Sequence, residues 1–192
     1  SLMTVNLGDM NIGTNDLSID FWWKPSTTSN VRQTLLSILP ADEQIQESQH
    51  RGIHIYASGQ TNNAGSIEID WKNTEDTGAV ASHIQGANES LVNTPRSNNV
   101  FYHIAIIRKS TKLYFFVNGD EIRDYPIFWL TQNNNARLNK FDNLTNDVGI
   151  NTLNANLRIH MSHDSFFDHL RIYSGDNLPL DPLNFVIPTS AT

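Results

Sequence analysis

Residues 101–123 hold the strongest constraint on fold, two runs whose residue types belong in paired antiparallel strands. Phe101-Tyr102-His103-Ile104-Ala105-Ile106-Ile107-Arg108 and Lys112-Leu113-Tyr114-Phe115-Phe116-Val117 are dense in β-branched and aromatic side chains, which fit a pleated, half-buried surface. Lys109-Ser110-Thr111 between them is short enough for a tight hairpin. Asn118-Gly119 then supplies the positive φ angles of a two-residue turn into Glu121-Ile122-Arg123.

Further strand candidates recur at short intervals: Leu17 to Lys24, Thr34 to Leu39, Gly52 to Ala57, Ser66 to Trp71, Gly78 to Ile84 and Phe167 to Tyr173. Pro40, Gly59, Asn62-Asn63, Gly65 and Gly86 punctuate them. Helical periodicity is missing except for a short helix expected near Pro182 to Phe185. The 192 residues, 39% hydrophobic, suffice for one core. The 23 asparagines suit many loops between short strands, because Asn tolerates turns and the left-handed region. The segment from Gln132 to Asn156 exceeds the usual length of a structureless connection. It should be a functional loop or hide a short strand at Asp147 to Ile150.

Alternation sorts these strands into faces. Leu17, Ile19, Phe21 and Trp23 point one way, and Ser18, Asp20, Trp22 and Lys24 the other. Leu113, Phe115 and Val117 should face the core, leaving Tyr114 and Phe116 on a second, partly apolar outer face. The core expected between two sheets is Leu17, Ile19, Phe21, Ala105, Leu113, Phe115, Val117, Leu170 and Ile172. The same parity places Asp168 inward with Phe166, Leu170 and Ile172, where a carboxylate would need hydrogen-bond partners.

Four segments then carry a resemblance: Phe21-Trp22-Trp23-Lys24-Pro25, His103-Ile104-Ala105, Phe115-Phe116-Val117-Asn118-Gly119 and Asp168-His169-Leu170-Arg171-Ile172-Tyr173. In order, spacing and wording they resemble the laminin-G-like, concanavalin-A-like jelly rolls, over roughly Val5 to Phe185. The chain departs from that family where Tyr102-His103 replaces its usual Trp-His, which makes one core aromatic smaller. The resemblance implies an all-β, two-sheet antiparallel β-sandwich, a single domain over residues 1–187 with a tail or linker at 188–192. The opening Ser1-Leu2-Met3 reads as the start of a piece cut from a longer protein or as a tag scar before Met3. This fold hosts lectins, adhesion modules, toxin domains and glycan hydrolases, so function has to be argued from the site.

Charge narrows the partners. The formal net charge is −7, from 13 basic and 20 acidic residues, with no basic block of four or more. That argues against a nucleic-acid backbone and against an anionic membrane surface. No apolar run approaches the roughly 20 residues needed to span a bilayer. The absence of cysteine removes any disulfide framework and leaves the compartment open. Sequons at Asn88 and Asn143 are no more than so many asparagines give by chance.

Candidate chemistry falls into three groups. Glu68-Ile69-Asp70-Trp71 matches the start of the Glu-x-Asp-x-x-Glu motif of related glycan hydrolases, whose retaining mechanism needs carboxylates about 5 Å apart. Lys72 and Asn73 follow where the third acid should be, so the motif argues against catalysis here. Among the histidines, zinc lacks a converging set, since His160 and His163 would leave opposite faces of a strand. His103 reads instead as a core histidine with a hydrogen-bond partner. No cofactor is required. Calcium is the cation that loop acids such as Asp120, Asp142 and Asp147 could hold, although no Asp-x-Asp-x-Asp pattern occurs.

The third group is aromatic. Sugar rings stack their C–H faces on aromatic rings while amides and guanidinium groups take hydroxyls. Trp22, Trp71, Tyr125, Trp129, Asn133, Asn134 and Arg137 are the expected ligand-binding residues, centred on the loops Tyr125 to Trp129 and Gln132 to Asn146. The expected function is a non-catalytic recognition module for a glycan or glycoprotein within an extracellular, cell-surface or virion protein. Neighbouring domains of a larger assembly, or further copies in a homo-oligomer, are its other partners. The rival readings are a structural or assembly domain of a viral fibre, capsid decoration or adhesin, and a glycan-processing enzyme.

Overall fold

The computed structural model describes residues 2–8, 10, 12, 15–24, 33–40, 52–57, 67–72, 82–85, 100–110, 112–121, 155–160 and 166–189; residues 33, 40, 57, 67–72, 82–85 and 113 are described by backbone alone. These form β1 (Leu2–Gly8), β2 (Leu17–Lys24), β3 (Gln33–Pro40), β4 (Gly52–Ala57), β5 (Ile67–Lys72), β6 (Ser82–Gln85), β7 (Tyr102–Lys109), β8 (Lys112–Val117), β9 (Asp120–Glu121), β10 (Ala155–His160) and β11 (Phe166–Ser174). One sheet runs β1-β10-β3-β4-β5-β6 and the other β11-β2-β7-β8-β9, with every neighbouring pair antiparallel. This is the two-sheet antiparallel sandwich that the strand patterns require. Among the described residues no helix is long and apolar enough to cross a membrane.

The inner faces meet in one apolar cluster. Leu17, Ile19, Phe21 and Trp23 from β2 join Tyr102, Ile104 and Ile106 from β7 and Phe115 and Val117 from β8. Leu36, Ile38, Ile53, Ile55, Leu157 and Ile159 come from the opposite sheet. Each such aliphatic or aromatic side chain contributes about 1.5–3 kcal/mol on burial, which drives the sheets together. Tyr102 fills the place of the larger aromatic and lies beside Trp23, with ring centroids 6.3 Å apart. The side chain of Leu113 lies outside the described residues.

Two expected core positions need correction. Ala105 is buried, but on the outer face of its sheet, in a second cluster with Ile107, Tyr114, Phe116 and Leu180. The parity of β7 is fixed by Tyr102, Ile104 and Ile106, so the alternate residues must point away from the core. Asp168 also faces outward, opposite Trp22, with its side chain 46% exposed. The cause is a β-bulge: the register shifts between Asp168 and Arg171, and His169 takes φ 50°. One extra residue inverts the parity, so Phe167, Leu170 and Ile172 pack on the core while Phe166 and Asp168 do not.

A C-terminal strap, residues 175–189, crosses the outer face of the five-stranded sheet. Leu178, Leu180 and Phe185 pack on Ala105, Ile107, Tyr114 and Phe116, and the Phe116 and Phe185 rings stack at 4.1 Å. The helix expected at Pro182 to Phe185 does not form; a turn takes its place. Leu183 N and Asn184 Nδ2 each donate to the Asp181 carboxylate at 2.9 Å, an aspartate-anchored turn that competes with helix. The strap begins where Gly175 N donates to the Asp16 carbonyl at 2.8 Å. Asp16 also pairs with Lys109 at 2.9 Å and accepts from Ser110 N in the β7–β8 turn. That hydrogen bond and charge raise Lys109 above the usual lysine range. Farther along, Ile187 lies over Gly119 of the Asn-Gly turn. At φ 87° a Cβ on Gly119 would sit 2.9 Å from Ile187 Cδ1.

Candidate functional site

The outer face of β2 is the polar set Ser18, Asp20, Trp22 and Lys24, and cross-strand pairing extends it into rows. Arg171 (β11), Asp20 (β2), Ala105 (β7) and Phe116 (β8) form one row; Asp168, Trp22 and His103 form the next. In the first row Asp20 is 1% exposed, so its charge needs partners. Arg171 Nε donates to both carboxylate oxygens at 3.2 Å, and His103 Nε2 lies 3.1 Å from Oδ2. A carboxylate only accepts, so Nε2 carries the hydrogen; Nδ1 has no hydrogen-bond partner among the described residues. Asn118 ties in the hairpin turn, its Oδ1 accepting from His103 N and its N donating to His103 O, both at 2.9 Å.

All four sequence motifs therefore meet at one buried ionic centre. Asp20 belongs to the strand of the first motif, His103 to the second, Asn118 to the third and Arg171 to the fourth. Phe185 of the strap closes one side, 5.9 Å from the His103 ring. Asp20 and His103 are 1% and 0% exposed, and their bonds tie three strands together.

Beyond it the face opens. The Trp22 ring is half-buried against His103 at 5.1 Å. Lys24 is paired with Phe166, and its Nζ lies 4.7 Å from the Phe166 centroid and 5.3 Å from that of Phe101. Phe101 and Phe166 are 39% and 55% exposed. Asp168 and His169 pair at 2.7 Å beside this row. The strap leaves an open platform of three aromatic rings, one ammonium held between two of them, and an adjacent carboxylate. Rings fixed in this way present flat apolar surfaces at little entropic cost, and the charged groups beside them offer hydrogen bonds.

The outer face of the six-stranded sheet is built differently. Thr4, Arg158, Ser37, His54, Asp70 and His83 are successive cross-strand partners from β1 to β6. Ser37 Oγ lies 3.1 Å from His54 Nδ1, and the Tyr56 ring stacks on His54; Arg158, Ser37, His54 and Tyr56 are all buried. Glu68, Asp70 and Lys72 alternate with Ile67, Ile69 and Trp71 along β5, with Glu68 opposite Tyr56 and Asp70 opposite His54.

Of the residues expected to bind ligand, Trp22 stands on the open platform. Trp71 is in the other sheet, paired with the core residue Ile53, so the sandwich separates it from Trp22. Tyr125, Trp129, Asn133, Asn134 and Arg137 lie outside the described residues, as do Asp142 and Asp147. Asp120 is exposed on β9. Among the described residues no three His, Asp or Glu side chains converge as a metal site requires. Lys24, Phe101 and Phe166 were not singled out by the sequence. The parity of β2 and β7 carried the signal for the first two, while the bulge at His169 hid the third.

A search of curated proteins found no match. Solved structures match the chain at low identity. A polysaccharide lyase family 18 enzyme is 7% identical (TM-score 0.42), over 81% of this chain and 54% of that one. The CBM40 domain of a Ruminococcus gnavus sialidase, solved with α2,3-sialyllactose, is 15% identical (TM-score 0.49), over 84% and 77%. The receptor-binding domain of a botulinum neurotoxin mosaic of serotypes C and D is 14% identical (TM-score 0.47), over 93% and 43%. The chain thus spans about half of the lyase and less than half of the toxin domain. The family model for the concanavalin A-like lectin/glucanases superfamily matches residues 3–175, and with both sheets in place the chain belongs to that superfamily.

Proposed function

We propose that this domain is a non-catalytic recognition module that binds a glycan, free or carried on a glycoprotein, as one part of a larger surface, secreted or virion protein. The observation that carries this reading is the open row Phe166, Lys24 and Phe101 beside Trp22, where rings can stack on sugar C–H faces. Lys24 and Asp168 then take hydroxyl groups. Catalysis is left out because Asn73 stands in the sequence where the Glu-x-Asp-x-x-Glu motif of such hydrolases requires its third acid.

A glycan array probed with the intact protein, with and without calcium, tests the reading. Binding that Phe166→Ala removes and Trp129→Ala leaves intact assigns the ligand to the platform. The reverse pattern assigns it to the loop around Tyr125 to Trp129. Silence across the array under both conditions would favour a structural or assembly domain.

A further inference from the structure

Of the 23 asparagines only Asn118 precedes a glycine. A glycine has no side chain to shield its backbone nitrogen, so that nitrogen can close on the carbonyl of an asparagine side chain before it. The hairpin keeps the two groups apart. Asn118 (φ 50°) and Gly119 (φ 87°) form the two-residue turn between the paired residues Val117 and Asp120. Asn118 N donates to His103 O at 2.9 Å, which extends the β7–β8 ladder by one rung. The return bond runs to the side chain, His103 N donating to Asn118 Oδ1 at 2.9 Å. In a regular antiparallel rung the acceptor would be the backbone carbonyl of residue 118. The side-chain carbonyl stands in for it and is held towards β7, while Gly119 leads away into β9.

We propose that Asn118 is a site of spontaneous deamidation, blocked in the closed hairpin and reactive whenever the β8–β9 turn opens. The Gly119 nitrogen gives up its proton and attacks Asn118 Cγ. The Cγ–Nδ2 bond breaks, and Nδ2 leaves with that proton as ammonia. A five-membered succinimide remains. Asn118 is exposed, so water can then add to either ring carbonyl and break its bond to the ring nitrogen. Opening at Cγ leaves an aspartate. Opening at the backbone carbonyl leaves an isoaspartate, with the main chain routed through Cβ and Cγ.

The two products act differently on the fold. An aspartate keeps an oxygen for His103 N, and the two-residue turn survives. An isoaspartate adds one main-chain carbon between positions 118 and 119, so the rung to His103 and the tight turn no longer fit together. The strap leaves the turn little room to shift. Ile187 lies over Gly119, where even a Cβ would sit 2.9 Å from its Cδ1. Isoaspartate formation therefore weakens the hairpin and the strap contact in one irreversible step.

Peptide mapping by mass spectrometry tests the site on the intact protein, incubated at mildly alkaline pH folded and in guanidinium. Asn118 should deamidate at least about tenfold more slowly in the folded protein, because the reaction waits for local opening. Ile187→Ala should speed the folded rate and leave the unfolded rate unchanged. The isoaspartate form, separated by ion exchange, should melt at a lower temperature than Asn118→Asp, which carries the same charge on an ordinary main chain. Equal rates in the folded and unfolded protein overturn the proposal, as does an unfolded chain in which Asn118 stays intact. An isoaspartate form that melts with Asn118→Asp overturns its structural consequence.

Discussion

Arg171 and Asp20, 151 positions apart in sequence, lie side by side across β11 and β2, the guanidinium Nε 3.2 Å from each carboxylate oxygen. The two partners differ in burial: Asp20 is 1% exposed and the Arg171 side chain 36%. Loss of the arginine leaves a buried carboxylate with His103 as its one remaining side-chain partner among the described residues. Arg171→Met should therefore cost about 3–5 kcal/mol in urea unfolding. Asp20→Asn keeps a hydrogen-bonding oxygen and frees a cation that can reach water, so it should cost less, about 1–3 kcal/mol. Equal losses would mean that the arginine is as poorly solvated as the aspartate.

The platform separates affinity from stability. Phe166 is the more exposed of its two phenylalanines, and Phe166→Ala should weaken glycan binding by about 1–2 kcal/mol with the melting temperature nearly unchanged. Trp22 packs against His103, so Trp22→Ala should lower both. Calorimetric titration and thermal unfolding of the same two proteins decide this. A Phe166→Ala protein that binds with full affinity would remove the platform from the mechanism.

The carboxylates of β5 offer a separate test. Glu68→Gln and Asp70→Asn should each leave glycan binding intact and no hydrolysis to be lost. Release of reducing sugar from a β-glucan or galactan, abolished by either substitution, would make the domain an enzyme.

The strap turn has a pH dependence whose sign is fixed. Hydrogen bonds from the Asn184 side chain and from Leu183 N lower the Asp181 pKa in the folded protein. Its contribution to stability is therefore present above the ordinary carboxylate pKa, about 3.9, and is lost as pH falls through the lower folded value. Protection of the Leu183 amide, its exchange measured relative to the intrinsic rate at each pH, should persist at mildly acidic pH and be lost below that range. Asp181→Ala should lack that protection throughout. Slow exchange in the variant would assign the protection to something other than this carboxylate.

The two-sheet sandwich and most facing directions were legible from strand spacing and alternation, as β2 and β8 demonstrate. Phe21, Trp23, Phe115 and Val117 point inward, while Tyr114 and Phe116 point outward. The errors differ in origin: alternation along β7 itself puts Ala105 outside once Ile104 and Ile106 face the core, whereas an inserted residue in β11 is something that alternation cannot register. His169 adds one residue to β11 and inverts Phe166 and Asp168. The buried carboxylate then turns out to be Asp20, on a face that looked solvent-bound because nothing in β2 announces the strap over it. Leu178, Leu180 and Phe185 are spaced like neither a strand nor a helix, so their destination depended on the apolar outer face formed by Ile107, Tyr114 and Phe116. His103 was legible as a partnered core histidine, whereas its partner lay in a segment too distant in sequence to identify.

The contact between Gly119 and Ile187 bears on how this chain could change over generations. Left to the hairpin alone, position 119 could drift to asparagine, which tolerates positive φ. With Ile187 Cδ1 2.9 Å from any Cβ there, the change also requires the end of the Ile187 side chain to move aside. The strap continues past the stretch matched by the superfamily model, which ends at residue 175, so a segment beyond that stretch bears on a residue inside it. Descendants that shed the strap would regain freedom at that glycine; those that keep it inherit the two positions as a linked pair.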